Sequence, residues 1–262
     1  MLALDFDGVI AASAAETYLV AAATLAAMEP GFPLVQRLPR AEPGRLEHPD
    51  PEDPVYARFL EAMPLGNRAE DFAVVLRAIA EGVPLPDQAA YDRFRNTLED
   101  TWLDAFHRRF YAVRRGLLEA DPGGWLTLVR PYPGVPERIR RLAPAVQLSL
   151  ATARDRGSIR RFLEAYGLDS LFPEEWLFDK EIGRSKQTHI ERILERTGGN
   201  AGDILFVDDK VNHLEGVAGT GVRRALAGWG YNGPREHRRA HRLGIPVLRI
   251  EDLDPGTLET IG

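Results

Sequence analysis

The stretch Leu4-Asp5-Phe6-Asp7-Gly8-Val9-Ile10 stands at the beginning of the chain and decides how the rest is interpreted. Residues 2–6 form a compact, mostly apolar run that ends at Asp7-Gly8, a turn signal, and this pattern predicts a short buried strand. Two acids at the end of a buried strand indicate catalysis more strongly than they indicate a turn cap. We therefore look for function at the carboxyl end of this strand.

The composition is that of an ordinary globular protein. Of the 262 residues, 44% are hydrophobic and 27% are charged, so the chain can bury a large core. The net charge of -6 gives no general attraction to polyanions, and we expect no nucleic-acid partner. Because the chain has no cysteine, a metal would have to bind to carboxylates, carbonyls or histidines, which favours a hard cation such as Mg²⁺.

The sequence carries no signal for a membrane or for export. Asp5 and Asp7 interrupt the first apolar stretch, which is unlike a signal peptide, and no run approaches the roughly 20 apolar residues that span a bilayer. We expect a cytoplasmic protein without a membrane partner. The sequence carries no signal for an oligomeric state either.

Two kinds of pattern divide the chain. Before residue 131, helices are predicted over 12–28, 55–63, 69–80 and 87–119, the last ending before the turn signal at 121–124, and a proline-rich stretch over 30–54 excludes regular helix or central strand. Beyond residue 130, apolar strands alternate with helices. The strands are predicted over 146–151, 204–207 and 222–226, and the helices begin near Val135, Arg156, Lys186 and Val211. This alternation predicts parallel strands joined by helical crossovers.

The first strand needs partners, and the nearest suitable strands lie beyond residue 130. The sequence therefore predicts an α/β protein whose core is a three-layer, Rossmann-like parallel sheet built from residues 1–12 and 131–262. Residues 13–130 are predicted to form a mainly helical cap domain that is inserted into this core.

Polar residues follow the predicted strands at the edge where parallel α/β sheets bind ligands. They are Asp5 and Asp7, Thr152, Lys186 at a helix start, and Asp208 and Asp209. Clustered acids raise one another's pKa unless a cation neutralises them, and Mg²⁺ suits oxygen ligands while leaving room for a substrate phosphate. Lysine is rare among the 33 basic residues, so Lys186 indicates a specific need for an ammonium group.

This set of residues predicts phosphoryl transfer. The Asp5 carboxylate can attack phosphorus as a nucleophile and form an aspartyl-phosphate. Asp7 can protonate the leaving alcohol and later deprotonate the attacking water, as a general acid and then a general base. Thr152 and Lys186 can hold the phosphoryl oxygens, whose charge must be stabilised during transfer.

At these residues the chain resembles the haloacid dehalogenase superfamily, in particular its phosphatases with a helical cap of the C1 type. Residues 4–10 look like the first motif of that family, Leu150-Ala151-Thr152 like the second, Lys186 like the third, and Phe206-Val207-Asp208-Asp209 like the fourth. The segment Pro131-Tyr132-Pro133-Gly134-Val135 is similar to the one that re-enters the core in phosphoglycolate-phosphatase-like members.

The resemblance implies a set of Mg²⁺ ligands. They are the Asp5 carboxylate, the backbone carbonyl of Asp7 and the Asp209 side chain, with Asp208 as a further or water-mediated ligand. The chain departs from the family just after the fourth motif, because Asn-His at residues 212–213 stands where relatives often carry another aspartate.

Three further residues are candidates for substrate contact. Asn67 and Arg68 follow a predicted loop in the insertion, and Arg154 follows the second motif, where it can reach a substrate phosphate or pair with Asp155. Residues 228–232 follow a strand and either line the pocket or only pack against it. Lys210 is predicted to be a surface residue beside the site.

The function predicted from these residues is Mg²⁺-dependent hydrolysis of a small phosphomonoester through an aspartyl-phosphate on Asp5. The partner is then a small phosphorylated metabolite. A phosphomutase of the β-phosphoglucomutase type is an alternative, because the motifs do not determine whether the phosphoryl group passes to water or to a sugar. A non-catalytic binding protein on the same fold is a further hypothesis, which the intact acids argue against. Dehalogenation on the same scaffold is another alternative. It would need neither Asp7 nor the pair Asp208-Asp209, so these acids argue against it.

Overall fold

The computed structural model describes residues 1–66, 68–183 and 185–261. The chain divides into two compact units, the core unit (Met1–Ala12 and Pro131–Gly262) and the cap unit (Ser13–Arg130). Within the described residues, no helix combines the length and the apolar character that crossing a bilayer requires.

Eight strands occur in the described residues. They are β1 (Leu2–Leu4), β2 (Ala11–Ala12), β3 (Arg130–Pro131), β4 (Leu148–Ala151), β5 (Leu177–Phe178), β6 (Leu205–Asp208), β7 (Arg223–Ala227) and β8 (Val247–Leu248). Six of them form one sheet in the order β5-β4-β1-β6-β7-β8, and its neighbouring strands run parallel. The parallel-sheet α/β fold predicted from the sequence is thereby confirmed. The edge strands β5 and β8 have no predicted counterpart, because two-residue strands are too short to show a periodic pattern.

The first strand, β1, lies in the middle of the sheet. Leu4 is in register with Leu150 of β4 on one side and with Val207 of β6 on the other. The chain builds one half of the sheet through β4 and β5 and the other half through β6, β7 and β8, so the strand order reverses beside β1. Loops diverge at such a reversal, and this is where ligands bind in parallel α/β sheets.

Twelve α-helices surround or follow these strands in the described residues. In the cap unit they are α1 (Ala14–Met28), α2 (Pro54–Ala62), α3 (Ala69–Glu81), α4 (Gln88–Arg95), α5 (Asp100–Ala120) and α6 (Pro122–Leu128). In the core unit they are α7 (Val135–Leu142), α8 (Arg156–Ala165), α9 (Lys186–Thr197), α10 (Val211–Gly216), α11 (Pro234–Arg242) and α12 (Pro255–Thr260). Short 3₁₀ helices cover Pro33–Arg37, Met63–Leu65, Asp169–Leu171, Glu174–Trp176, Ala201–Asp203, Ala218–Thr220 and Ile250–Asp252.

The core sheet is anchored by helices that pack on its strands. Helix α9 contacts β4 and β5, and α10 contacts β6 and β7. Side chains from one face of the sheet, including Ala3 and Phe206, join Ile190 and Ile193 of α9 in one buried apolar cluster. Because alternate residues of a strand point to opposite faces, this packing fixes the strands and therefore the positions of their carboxyl ends.

The prediction of one helix over 87–119 in the cap unit was wrong. That segment forms two helices, α4 and α5, because the chain turns over residues 96–99. The Thr97 hydroxyl donates a hydrogen bond to the backbone carbonyl of Phe94 at 2.7 Å. A threonine side chain that bonds a nearby carbonyl competes with the helix for that acceptor, and the helical periodicity of the sequence does not reveal such competition.

The helix before the turn signal at 121–124 ends at Ala120, as predicted, and the same segment starts another helix. The Asp121 carboxylate accepts a hydrogen bond from the Gly124 backbone N–H at 2.9 Å, and Pro122 is the first residue of α6. Aspartate as an N-cap followed by proline in the first turn is typical of a helix start. The segment therefore ends α5 and begins α6. The proline-rich stretch over 30–54 contains a short 3₁₀ helix and no strand before α2, as its prolines predict.

A buried ion pair joins two helices of the cap unit. Glu16 of α1 is fully buried, and its two carboxylate oxygens accept hydrogen bonds from Arg114 of α5 at 2.7 and 2.9 Å. The Arg114 guanidinium also lies 4.9 Å from the centroid of the Phe110 ring. A buried carboxylate that loses such a partner keeps its desolvation cost without the compensating attraction.

We predict that Arg114→Met lowers the free energy of unfolding by about 3 to 5 kcal/mol, because it leaves the Glu16 charge buried without its arginine. The matched control is Arg192→Met, since Arg192 pairs with Glu195 on an exposed surface and should cost less than about 1 kcal/mol. Urea denaturation of both variants measures the difference. Equal losses in the two variants would contradict the importance of the buried pair.

Candidate active site

Three strand ends meet at one edge of the core sheet. Asp5 follows β1 directly, Thr152 follows β4 directly, and Asp208 is the last residue of β6. The three strands are parallel neighbours in register, so these residues lie side by side. All three are buried. The sheet thus gathers two carboxylates and a hydroxyl from distant parts of the sequence.

Lys186 brings an ammonium group into the same place. It is the first residue of α9, a helix capped by Ser185 and packed against the strands beside β1. Its Nζ lies 2.6 Å from Asp5 Oδ1 and 3.4 Å from Asp208 Oδ2, and it donates a hydrogen bond to the Ala151 carbonyl at 2.6 Å. Lys186 is therefore a buried cation that bridges the ends of three strands.

The acids of this cluster differ in how readily they ionise. Burial raises the pKa of Asp5 to about 7, although Lys186 opposes the rise. Burial and the neighbouring Asp208 raise the pKa of Asp209 well above its ordinary value. For Asp208 burial also acts upwards, but His213 and Lys186 outweigh it and hold the pKa of Asp208 well below its usual range. Burial therefore disfavours the ionised forms of Asp5 and Asp209, whereas Asp208 is held in its ionised form.

Asp7 contacts a cation other than Lys186. The Arg154 Nε lies 2.8 Å from Asp7 Oδ1 and 2.9 Å from Asp7 Oδ2, and the side chain of Arg154 is 3% exposed. The Arg154 guanidinium lies 5.3 Å from the ring centroid of Phe162 and 5.9 Å from that of Phe6. Arg154, a candidate for substrate contact in the sequence, is thus fixed by aromatic rings and an ion pair with Asp7.

Thr152 is held by the loop that follows β4. Its backbone N–H donates to the Phe178 carbonyl at 2.8 Å, and its hydroxyl oxygen accepts a hydrogen bond from the Arg154 backbone N–H at 3.2 Å. Asp155 then caps α8 by accepting a hydrogen bond from the Ser158 backbone N–H at 2.9 Å. The loop that carries Thr152 and Arg154 is therefore bonded at both ends.

His213 is a member of the cluster that the sequence indicated only as a departure from the family. Its Nδ1 lies 3.0 and 3.1 Å from the two oxygens of Asp208. Asp5, Asp208 and His213 each offer a potential metal-ligand atom, and these atoms lie within 4.8 Å of one another. The residue follows the paired acids by one helical turn, and sequence spacing alone does not distinguish this contact from a surface histidine.

Asp209 is oriented by the turn that follows β7. Its Oδ2 accepts a hydrogen bond from the Tyr231 backbone N–H at 2.9 Å. Asp209 is not a member of the three-residue group formed by Asp5, Asp208 and His213. Lys210, which was predicted to lie at the surface, is 8% exposed, and its charge lowers the pKa of Asp209 against the larger effect of burial. That prediction was wrong, because the turn after β6 is enclosed by other segments of the core unit.

The two cap candidates have different outcomes. Asn67 lies outside the described residues. Arg68 directly precedes α3, and its side chain is 68% exposed with Nη1 at 3.8 Å from Glu70 Oε1. Glu70 also lies 2.6 Å from His107 Nδ1. A substrate contact by Arg68 stays a prediction.

The carboxylate groups gathered in the core unit are suitable ligands for a hard divalent cation. Among the described residues, the acids Asp5, Asp7, Asp208 and Asp209 outnumber the permanent cations next to them, Lys186, Arg154 and Lys210. Burial disfavours the ionised forms of two of these acids, and a divalent cation would favour the same forms. Carboxylate oxygens are the ligands that Mg²⁺ prefers.

The core unit is a parallel α/β sheet with an acidic cluster beyond its central strand, and comparison with known proteins identifies the family. A sequence model described as haloacid dehalogenase-like hydrolase matches residues 1–221. The chain therefore belongs to the haloacid dehalogenase-like hydrolases, and the resemblance noted in its motifs is confirmed. No curated protein matches the chain.

Solved structures of low sequence identity share the fold. A haloacid dehalogenase-like hydrolase from Streptococcus pneumoniae is 12% identical with a TM-score of 0.60, over 95% of this chain and 92% of that one. A predicted phosphatase from Clostridium acetobutylicum is 14% identical with a TM-score of 0.61, over 98% and 97%. A predicted phosphoglycolate phosphatase from Haemophilus somnus is 19% identical with a TM-score of 0.59, over 97% and 95%.

We predict that Asp5→Asn stabilises the metal-free protein and that Asp208→Asn destabilises it. The pKa of Asp5 is higher in the folded chain than its ordinary value, so its ionisation costs stability as pH rises through that interval. The pKa of Asp208 is lower, so its ionised form contributes stability above its ordinary pKa. Each change should shift the melting temperature by about 2 to 4 °C per kcal/mol, in opposite directions.

Thermal unfolding in the presence of a chelator, from about pH 5 to about pH 8, measures both effects. The gain in Asp5→Asn should grow with pH, and added Mg²⁺ should reduce it because a bound cation favours the ionised Asp5. A loss of stability in both variants at the higher pH would contradict the assigned difference between the two acids.

Proposed function

We propose that the protein is a Mg²⁺-dependent phosphatase that hydrolyses a small phosphomonoester through an aspartyl-phosphate on Asp5. The observation that carries the proposal is the buried Asp5 carboxylate at the end of the central strand, 2.6 Å from the Lys186 ammonium. A carboxylate that is fixed and paired with a cation is suited to act as a nucleophile beside phosphoryl oxygens. The family membership supports hydrolysis as the reaction class.

The contacts of Asp5 indicate which oxygen attacks. Among the described residues, the Phe6 backbone N–H donates to Asp5 Oδ1 at 2.7 Å, and Lys186 Nζ contacts the same oxygen. With Oδ1 held by two donors, Oδ2 is the oxygen that we assign to attack on phosphorus. The carboxylate is then aligned before the substrate arrives, which lowers the entropic cost of the reaction.

Asp7 is the proposed general acid and base. It follows the nucleophile by two residues, and its side chain is 30% exposed, so a substrate oxygen or a water can reach it. It would protonate the leaving alcohol in the first step and deprotonate the hydrolytic water in the second. The ion pair with Arg154 holds the Asp7 carboxylate at the edge of the site.

Thr152 and Lys186 are the proposed ligands of the phosphoryl group. Both are buried beside Asp5, one at the end of β4 and one at the start of α9. A hydroxyl and an ammonium at these places would stabilise the charge on the phosphoryl oxygens during transfer. Their rigid attachment to a strand and a helix keeps this environment preorganised.

The Asp5 and Asp209 carboxylates and the Asp7 carbonyl would hold Mg²⁺, with Asp208 as a further ligand. When bound, the cation supplies positive charge that neutralises the phosphate and favours ionised Asp5. Two of the structural neighbours are described as predicted phosphatases, one of them for phosphoglycolate. These descriptions support a small phosphorylated metabolite as substrate.

We predict that Asp5→Asn abolishes Mg²⁺-dependent phosphate release and that Asp7→Asn lowers kcat by about 10²- to 10⁴-fold, the usual contribution of a general acid. The matched control is Asp169→Asn, an exposed aspartate of the same unit, which should keep wild-type activity. A screen of sugar phosphates, phosphoglycolate, nucleotides and pyrophosphate, with Asp5→Asn as the blank, measures the release.

Trapping the phosphorylated protein during the reaction distinguishes this proposal from its alternatives. Acid quenching of the wild type should yield a phosphorylated protein whose label maps to Asp5, and Asp5→Asn should yield none. Undiminished activity in Asp5→Asn would overturn the proposal. Transfer of phosphate from glucose 1-phosphate to another sugar position, instead of to water, would indicate a mutase.

We predict that Arg154→Met lowers kcat/KM for an alkyl phosphate about tenfold or more and has a much smaller effect on kcat/KM for p-nitrophenyl phosphate. The reason is that kcat/KM reports the first step, in which the alkoxide needs a proton from Asp7 and p-nitrophenolate does not, whereas the later hydrolysis of the aspartyl-phosphate is common to both substrates. Steady-state kinetics with both substrates measures the contrast. An equal rise in KM for both, with kcat unchanged, would instead mean that Arg154 binds the phosphate.

A further inference from the structure

The turn after β7 makes close contacts with the acidic cluster although none of its own side chains is acidic. We call residues 229–232, Trp-Gly-Tyr-Asn, the clamp turn; it lies between β7 and α11. Its residues are only half-buried, so filling the hydrophobic core is not their main role. The sequence left open whether this segment lines the site or only packs beside it.

The clamp turn holds Asp209 at two points. The Tyr231 backbone N–H donates to Asp209 Oδ2 at 2.9 Å, and the Asn232 side-chain amide donates to the Asp209 backbone carbonyl at 3.0 Å. Asn232 is itself fixed, because its amide also donates to the Ala227 carbonyl at 2.9 Å and its Oδ1 lies 2.7 Å from His237 Nε2. Both the side chain and the backbone of Asp209 are therefore oriented from one turn.

Gly230 allows this close approach. A Cβ atom built at Gly230 would lie 2.3 Å from Asp209 Cβ and 2.3 Å from the Gly8 carbonyl oxygen. Real Cβ atoms do not come this close, so any side chain at this position would push the turn away from Asp209 or from Gly8. Its lack of a side chain, and not an unusual backbone angle, is what this position requires.

The clamp turn also reaches the loop that carries Asp7. Trp229 Nε1 donates to the Val9 carbonyl at 2.9 Å. Gly8 has a φ of +81°, and a Cβ atom built there would lie 2.2 Å from Asp209 Oδ2. The loop after β1, the turn after β6 and the clamp turn are therefore in mutual contact around the Asp209 carboxylate.

We propose that the clamp turn is a positioning segment that sets the Asp209 carboxylate and the loop after Asp5 for the divalent cation. The inference rests on the cation site of the proposed function. Gly230 and Trp229 are positioning residues: they touch neither substrate nor cation, and they act through Asp209 and through the loop of residues 7–9. The cation affinity of the protein therefore depends on a turn far from the acids in sequence.

The test compares Gly230→Ala with Gly233→Ala. A Cβ at Gly233 would meet only Glu236 Oε2, at 3.9 Å, so this neighbouring substitution has room and is the matched control. Mn²⁺ is the probe, and its binding to the substrate-free protein is measured by electron paramagnetic resonance. We expect Gly230→Ala to raise the Mn²⁺ dissociation constant about tenfold or more, which is about 1.4 kcal/mol, and Gly233→Ala to stay within about twofold.

A second readout separates positioning from general damage. The Mg²⁺ concentration needed for half-maximal phosphate release should rise by a similar factor in Gly230→Ala, and activity should largely recover at saturating Mg²⁺. If Gly230→Ala does not fold, Trp229→Phe decides, because it keeps an aromatic ring but removes the N–H that donates to the Val9 carbonyl, and it should raise the Mn²⁺ dissociation constant about threefold.

The outcomes distinguish this inference from the proposed function. Saturable Mn²⁺ binding by a wild type that releases no phosphate would overturn the function, while the comparison of variants would still decide the role of the clamp turn. A folded Gly230→Ala with wild-type Mn²⁺ affinity would overturn the inference, as would unchanged affinity in Trp229→Phe. A wild type without saturable Mn²⁺ binding would overturn it too.

Discussion

The burial of several carboxylates at the end of one parallel sheet is the constraint on which the rest of the site depends. Burial raises the pKa of Asp5 and of Asp209, so the folded chain pays for each negative charge that it keeps there. For Asp208, His213 and Lys186 outweigh this cost, and its pKa is lowered. A hydrolase that uses Asp5 as a nucleophile needs the remaining charge to be balanced by a cation, which is why the proposed function and the proposed metal site stand together.

The fold holds most of the site residues on rigid secondary-structure elements. Strand ends carry Asp5, Thr152 and Asp208, and the first turn of α9 carries Lys186, so the positions of these four residues are set by strands and a helix. Where loops are used, they are bonded to one another: the Arg154 guanidinium holds Asp7, and the clamp turn holds Asp209. This arrangement lets the core unit assemble its charges as part of folding the sheet.

Much of the fold could be predicted because it follows from local patterns. The apolar runs that became β1, β4, β6 and β7 and the helical patterns after them are contiguous in the sequence, and Asp5 and Asp208 stand directly at strand ends. The two wrong predictions have different causes. Thr97 splits one predicted helix by bonding the Phe94 carbonyl, and Lys210 is buried because distant segments cover the turn in which it lies. Periodicity reports neither a competing hydrogen bond nor the cover supplied by another part of the chain.

The sequence by itself determined the class of fold and the family, because strand and helix patterns and the four motifs are each encoded in contiguous residues. Only the tertiary structure decided which groups touch. Arg154 meets Asp7, His213 meets both oxygens of Asp208, and the Tyr231 N–H meets Asp209. The physical reason is that parallel pairing brings together strand ends and turns that are separated in sequence by up to 200 residues or so, and a contact of about 3 Å depends on backbone positions that no local pattern encodes.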